Sequence, residues 1–91
     1  MHDILYTKEA KSIIDKLSFK RKRQIKDAIE RIAHHPSVGK RLAQELSGLW
    51  SYRSGDFRII YRVEHEHLLI IVLTIGHRKG IYKGIRRKHY A

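Results

Sequence analysis

Leu49-Trp50-Ser51-Tyr52-Arg53-Ser54-Gly55-Asp56-Phe57-Arg58-Ile59-Ile60-Tyr61-Arg62-Val63 is the stretch that decides the fold. Its second half alternates. Phe57, Ile59, Tyr61 and Val63 face one way, and Arg58, Ile60 and Arg62 the other, which is the period of a strand with one face on a core. Ser54-Gly55-Asp56 is a turn, because glycine enters the left-handed region without steric penalty and aspartate bonds its own backbone. Leu49 to Arg53 is then the partner strand, and so short a turn makes the pair antiparallel. Glu64 to Glu66 forms the next turn. Leu68 to Ile75 is apolar on both faces, as a central strand is, and Gly76 is expected to end it.

Outward from this meander, toward the amino terminus, the period changes to that of helices. Asp3 to Tyr6 fits a short first strand, with Ile4 and Tyr6 on one face. Thr7 can cap a helix whose first turn holds Glu9, and Ala10, Ile13, Ile14 and Leu17 form one apolar stripe. Ser18 is a second cap. Ile25, Ala28, Ile29, Ile32 and Ala33 repeat the stripe, with Arg23–Asp27, Lys26–Glu30 and Asp27–Arg31 as opposite charges one turn apart on the outer face. Pro36 stops this helix near His34-His35 by disfavouring helical geometry in the residue before it. Ser37 to Gly48 has no clear period; Leu42 and Leu46 fit either one helical turn or a loop. Ile81 to Tyr90 is a basic tail. The expectation is an α+β domain, β-α-α-β-β-β. An N-terminal strand and an antiparallel helical hairpin pack on one face of a small antiparallel sheet, followed by a short basic C-terminal tail or helix. The other face, bearing Arg58, is expected to be concave and basic.

The chain has 91 residues, which suits one domain spanning 1–91 and a shallow groove for any site. Without cysteine it can hold neither disulfides nor thiolate metal sites, which suits a reducing cytoplasm. Met1-His2-Asp3-Ile4 is not expected to open a signal peptide, and Leu68 to Leu73 is too short to span a bilayer. Twenty Lys and Arg against nine Asp and Glu give a net charge of +11. Such an excess, interleaved with aromatic residues, favours a polyanionic partner over a merely solvated surface. His34-His35 and His65-Glu66-His67 lack a third ligand at usable spacing, and Asp56, Glu64 and Glu66 look like turn residues. No metal or cofactor is expected. Lys20-Arg21-Lys22-Arg23 opens the second helix against its dipole. That run, and Arg86-Arg87-Lys88 in the tail, fit a nucleic-acid backbone or a solvated face equally well.

Leu46-Ser47-Gly48-Leu49 through Arg53-Ser54-Gly55-Asp56-Phe57-Arg58-Ile59-Ile60-Tyr61, with Ile75-Gly76-His77-Arg78-Lys79 and Ile81-Tyr82 further on, resembles the RelE/ParE superfamily of toxins from toxin–antitoxin pairs. The resemblance covers nearly the whole chain. It implies a toxin held in check by a cognate antitoxin, in one of two branches. RelE-type members cut messenger RNA on the ribosome without a metal; ParE-type members poison DNA gyrase. In the RelE reading Arg58 and Arg78 match arginines that hold the scissile phosphate, a task suited to a planar, permanently charged guanidinium. His77 follows the last strand, and histidine is the side chain suited to carrying protons near neutrality. Tyr82 can assist as a proton donor or stack on a base. Arg53, Arg62 and Lys79 are weaker RNA contacts, and Trp50 and Tyr52 are expected to pack. The chain departs from the family at Leu49 and Ser51, which stand where RelE-type enzymes often carry two lysines. The expectation is therefore a cytoplasmic, metal-independent endoribonuclease acting on messenger RNA at the ribosome. The alternatives are a gyrase inhibitor, or a non-catalytic basic domain that binds its antitoxin and, through it, operator DNA.

Overall fold

The structure, a computed structural model, describes residues 1–77 and residue 81. Strand β1 is Asp3–Tyr6, helix α1 Lys8–Asp15 and helix α2 Phe19–His34; β2 is Lys40–Arg41, β3 Trp50–Ser54, β4 Phe57–Glu64 and β5 Leu69–His77. One sheet holds all five strands in the order β1-β5-β4-β3-β2. The α+β plan expected from the pattern is present. β3, β4 and β5 form the antiparallel meander, but β1, expected against the face of an antiparallel sheet, is instead an edge strand parallel to β5, so the sheet is mixed. β5 thus has a neighbour on each side, which explains why its sequence is apolar throughout.

Both helices begin where the caps predict. Thr7 Oγ1 accepts the Ala10 amide at 3.1 Å, and Ser18 Oγ accepts the Arg21 amide at 3.3 Å. α2 ends at His34, ahead of Pro36. The segment without a clear period, 37–48, is divided among two short 3-10 turns, Pro36–Val38 and Gln44–Leu46, and the two-residue strand β2. So brief a strand leaves no periodic trace.

The apolar stripes of the hairpin bury Ala10, Ile25, Ile29 and Ile32 against Ile59, Tyr61, Ile70 and Val72 of the sheet. Arg58 lies on the opposite face, as expected, but that face is not uniformly basic. Leu46, Leu49, Ile60 and Leu73 form a second core there, with Leu42, Ile71 and Ile81 packed against it.

β5 departs from simple alternation at one point. Ile60 pairs with Thr74 but Tyr61 pairs with Val72, so β5 carries one extra residue at Leu73. This bulge shifts the phase of the strand. Ile70 and Val72 lie in the first core, Leu73 turns to the second, and Ile75 returns to the first. A bulge leaves a backbone group outside the ladder. Here the Leu73 carbonyl accepts the Thr7 hydroxyl at 2.6 Å. Gly76 does not end β5, contrary to expectation. The ladder continues with Arg58 opposite Gly76 and Phe57 opposite His77, because β4 is long enough to pair to that point.

Tyr61 ties the loop after α2 to the sheet. Its ring is fully buried, its hydroxyl donates to the Pro36 carbonyl at 2.7 Å, and it accepts the Gly39 amide at 3.1 Å. The approach is so close that a Cβ on Gly39 would lie 2.5 Å from that oxygen. Burial pushes the Tyr61 hydroxyl from 10.0 up to about 12, opposed in part by the Gly39 amide.

Two outcomes follow from these bonds. Thr7→Val keeps the side-chain shape but loses both the cap and the donor to Leu73. It should lower unfolding free energy by about 1–3 kcal/mol in urea titrations, while Thr7→Ser should stay within about 0.5 kcal/mol. Tyr61→Phe should lose about 1–3 kcal/mol at neutral pH by orphaning the Pro36 and Gly39 groups. A raised pKa favours the protonated hydroxyl in the fold, so its contribution is complete below the unfolded value of 10.0 and is lost as pH rises through about 12. The stability gap between wild type and Tyr61→Phe should therefore narrow over that interval.

Candidate nucleic-acid interface

The β3–β4 turn is built from Gly55, at φ 60°, and Asp56. α2 clamps it. Gln24 Nε2 donates to the Ser54 carbonyl at 3.0 Å and to Ser54 Oγ at 3.3 Å. A Cβ on Gly55 would stand 2.6 Å from Gln24 Nε2, so glycine serves both the turn and the close approach. The clamp brings the first turns of α2 over this end of the sheet, where both sheet faces carry cations.

On the face away from the hairpin, Arg53 and Arg58 stand directly opposite one another on β3 and β4. Like charges so placed are destabilising. Arg53 is exposed and its Nε donates to the Gly55 carbonyl at 3.1 Å; Arg58 is half-buried. The third place in this row is Gly76, which leaves room for Ile81, whose side chain would come within 3.0 Å of a Cβ there.

On the hairpin face, Phe57 is 3% exposed and is flanked by two flat polar groups. The His77 ring stands 4.5 Å from its centroid at a tilt of 35°, and the Arg21 guanidinium lies 5.3 Å from it. His77 and Arg21 are both exposed. Arg58 and His77 thus occupy neighbouring rungs of the β4–β5 ladder but point to opposite faces. The bulge at Leu73 causes this: without it, His77 would share the face of Arg58.

The other candidate residues divide clearly. Lys20 and Arg23 are exposed and Lys22 half-buried on the first turns of α2, at the same end as Arg21. Arg62 shares the face of Arg58 but lies four residues along, about 13 Å away, and is paired with Glu64 at 3.0 Å. Arg78, Lys79, Tyr82, Arg86 and Arg87 lie outside the described residues. Trp50 and Tyr52 pack against the first core, as alternation predicted. Leu49 and Ser51, the positions of the lysines in RelE-type relatives, are 1% and 5% exposed, so they belong to the interior. Sequence reasoning missed two aromatic residues. Phe57 was read only as core, and nothing in its spacing shows that His77 and Arg21 share its ring. Phe19, 80% exposed, is off the stripe set by Ile25, Ala28 and Ile29, and that mismatch was the available signal.

The family model of the ParE toxin of type II toxin–antitoxin systems matches residues 4–82. The chain belongs to this family. It is thereby a member of the RelE/ParE superfamily that its strand motifs resemble. Toxin RelG of Mycobacterium tuberculosis is 44% identical over 46 residues, 50% of this chain and 53% of RelG. The chain thus spans about half the length of that curated relative. A chain of the RelBE2 toxin–antitoxin complex of the same organism superposes with a TM-score of 0.77 at 30% identity, covering 85% of this chain and 98% of that one. A mutant of E. coli toxin RelE with two arginines replaced by alanine, in the free state, shares the fold, with a TM-score of 0.78 over 99% of this chain and 98% of that one at 17% identity.

Removing the Arg53 cation should leave the fold unharmed. Arg53→Thr should change unfolding free energy by less than about 0.5 kcal/mol, while lowering the slope of log affinity for RNA against log salt by roughly one. Urea unfolding and a salt series of RNA binding on the same preparation check both.

Proposed function

We propose that this chain is the toxin of a toxin–antitoxin pair and acts as a ribosome-dependent, metal-independent endoribonuclease on messenger RNA. The observation that supports this reading is the Arg53–Arg58 row, two cations on directly opposite positions of β3 and β4 at one end of the sheet. In metal-free cleavage the 2′-oxygen attacks phosphorus, its proton passes to a base, and the departing 5′-oxygen takes up a proton. Charge gathers on the non-bridging oxygens, and fixed cations there favour the transition state. Arg58 would hold that phosphate together with Arg78. His77 would carry the proton, with Tyr82 assisting. Because His77 and Arg58 point to opposite faces, a substrate that reaches both must pass over the sheet end with its phosphate on the Arg58 side.

A second reading is favoured by Leu49 and Ser51. Both are interior residues, so the lysine cations of RelE-type relatives have no counterpart there, and the matching family model is that of ParE toxins. In that reading the chain binds and poisons DNA gyrase and breaks no bond itself. In both readings the natural partner is a small antitoxin with acidic and apolar segments, attracted by the +11 charge. An apolar groove of about 470 Å³ between β1 and the hairpin, edged by Lys11 and Lys26, offers such a segment a seat. The complex would bind operator DNA through the antitoxin, and the site of action would be the cytoplasm.

Brief induction followed by primer extension on messenger RNA separates the readings. Discrete new 5′ ends on translated messages are expected; intact messages with induced DNA breaks would transfer the chain to the gyrase reading. Arg58→Ala combined with Arg78→Ala should relieve growth arrest without unfolding the chain, and undiminished toxicity of the double variant would remove the phosphate clamp. His77→Gln should slow cleavage on the ribosome by roughly two to four orders of magnitude, with its melting temperature unchanged. A loss of stability with the chemistry retained would make His77 a structural residue.

A further inference from the structure

We propose that Arg21, Phe57 and His77 form a stacking platform for one base of a single-stranded RNA, at the same sheet end as the Arg53–Arg58 row but on the opposite face. The proposal rests on the ribonuclease reading and names the part of that site which grips a base.

Three observations carry it. Phe57 is almost fully buried, yet two flat π-bearing groups lie within 5.3 Å of its ring centroid and keep exposed surfaces of their own. A histidine that merely closed the core would be buried with the ring it covers; His77 is exposed. Second, an imidazole and a guanidinium are both surfaces on which bases stack, with no preference among the four bases, and positive charge on the second strengthens the contact. Third, the platform shares its sheet end with the Arg53–Arg58 row. His77 pairs with Phe57 one rung beyond the Gly76–Arg58 pair. A strand laid over the sheet end therefore meets arginines on one face and the platform on the other. Backbone cations with a stacking surface beside them are the general composition of a single-strand site.

The Gln24 clamp gives the platform its rigidity. It joins α2, which carries Arg21, to the turn that precedes Phe57. The platform is thus held on a helix and two strands rather than on a loop.

The test uses the full chain and a fluorescent six-nucleotide RNA with 2′-O-methyl groups throughout, which cannot be cut. Affinity is measured by anisotropy for wild type, His77→Ala, His77→Phe and Arg21→Ala. His77→Ala and Arg21→Ala should each weaken binding about 5- to 100-fold, the usual worth of one stacked base. His77→Phe, which keeps a flat ring and loses the titratable nitrogen, should stay within about threefold of wild type. A probe with abasic sites should erase the difference between wild type and His77→Ala. Wild-type affinity in His77→Ala, or equal weakness of His77→Phe and His77→Ala, overturns the platform, as does absence of binding by wild type. Cleavage on the ribosome is measured separately on the same proteins. A wild type that binds the probe with this pattern but cuts no message would fail the ribonuclease reading and leave the platform standing. A wild type that cuts but shows none of the pattern would do the reverse.

Discussion

Thr7 Oγ1 accepts from the Ala10 amide and donates to the Leu73 carbonyl, and the arrangement of both sheet faces follows from that pair of bonds. The first bond starts α1. The second satisfies the carbonyl freed where β5 carries its extra residue. Next to it, the Thr7 amide donates to the Val72 carbonyl at 3.1 Å, which continues the β1–β5 ladder into the helix cap. Sheet, bulge and helix start are therefore one unit. The bulge then sets which residues beyond Leu73 face the hairpin, and so it sets His77 against Phe57 and Gly76 beside Arg58.

Most of the frame was legible in the residues because it rests on local chemistry. Thr7 and Ser18 marked both helix starts, Pro36 marked the end of α2, and alternation from Phe57 to Val63 placed Arg58 on the face away from the helices. Pairing and phase were less visible. The parallel partnership of β1 with β5 leaves no local signature, and a two-residue strand such as Lys40–Arg41 is shorter than any period. The bulge was hidden for a different reason. Leu68 to Ile75 is apolar on both sides, so a shift of phase inside it changes no hydrophobic pattern. Since the facing of His77 depends on that phase, its relation to Arg58 was not readable from spacing, and the Arg53–Arg58 pairing needs a two-residue turn at Gly55-Asp56, one residue shorter than the Ser54-Gly55-Asp56 turn that the residue types suggest.

The charge distribution divides in the same way. Arg62 has a carboxylate beside it, and Arg41 lies 5.2 Å from the centroid of the Trp50 ring, so both are engaged within the fold. Setting Arg53 and Arg58 directly opposite one another carries a cross-strand cost, although Arg53 too is engaged, through the Gly55 carbonyl. A domain of this size has little stability to spare. Its second core, on the same face, offsets such a cost by burying Leu46, Leu49, Ile60 and Leu73 a short distance along the strands.

The parallel pairing of β1 with β5 also governs when the molecule can exist. Asp3 lies beside Leu69, and Thr7 bonds a carbonyl 66 positions later. β5, which lies between β1 and β4, leaves the ribosome after both of those strands and both helices. During synthesis the helices can form and the β3–β4 hairpin can close, but β1 has no partner and the stripes of the hairpin have only half a floor. Contacts of such long range also close slowly. Folding is therefore a late event, completed only once β5 has emerged, and until then the nascent chain offers its apolar surfaces and an unpaired strand edge to any protein made beside it.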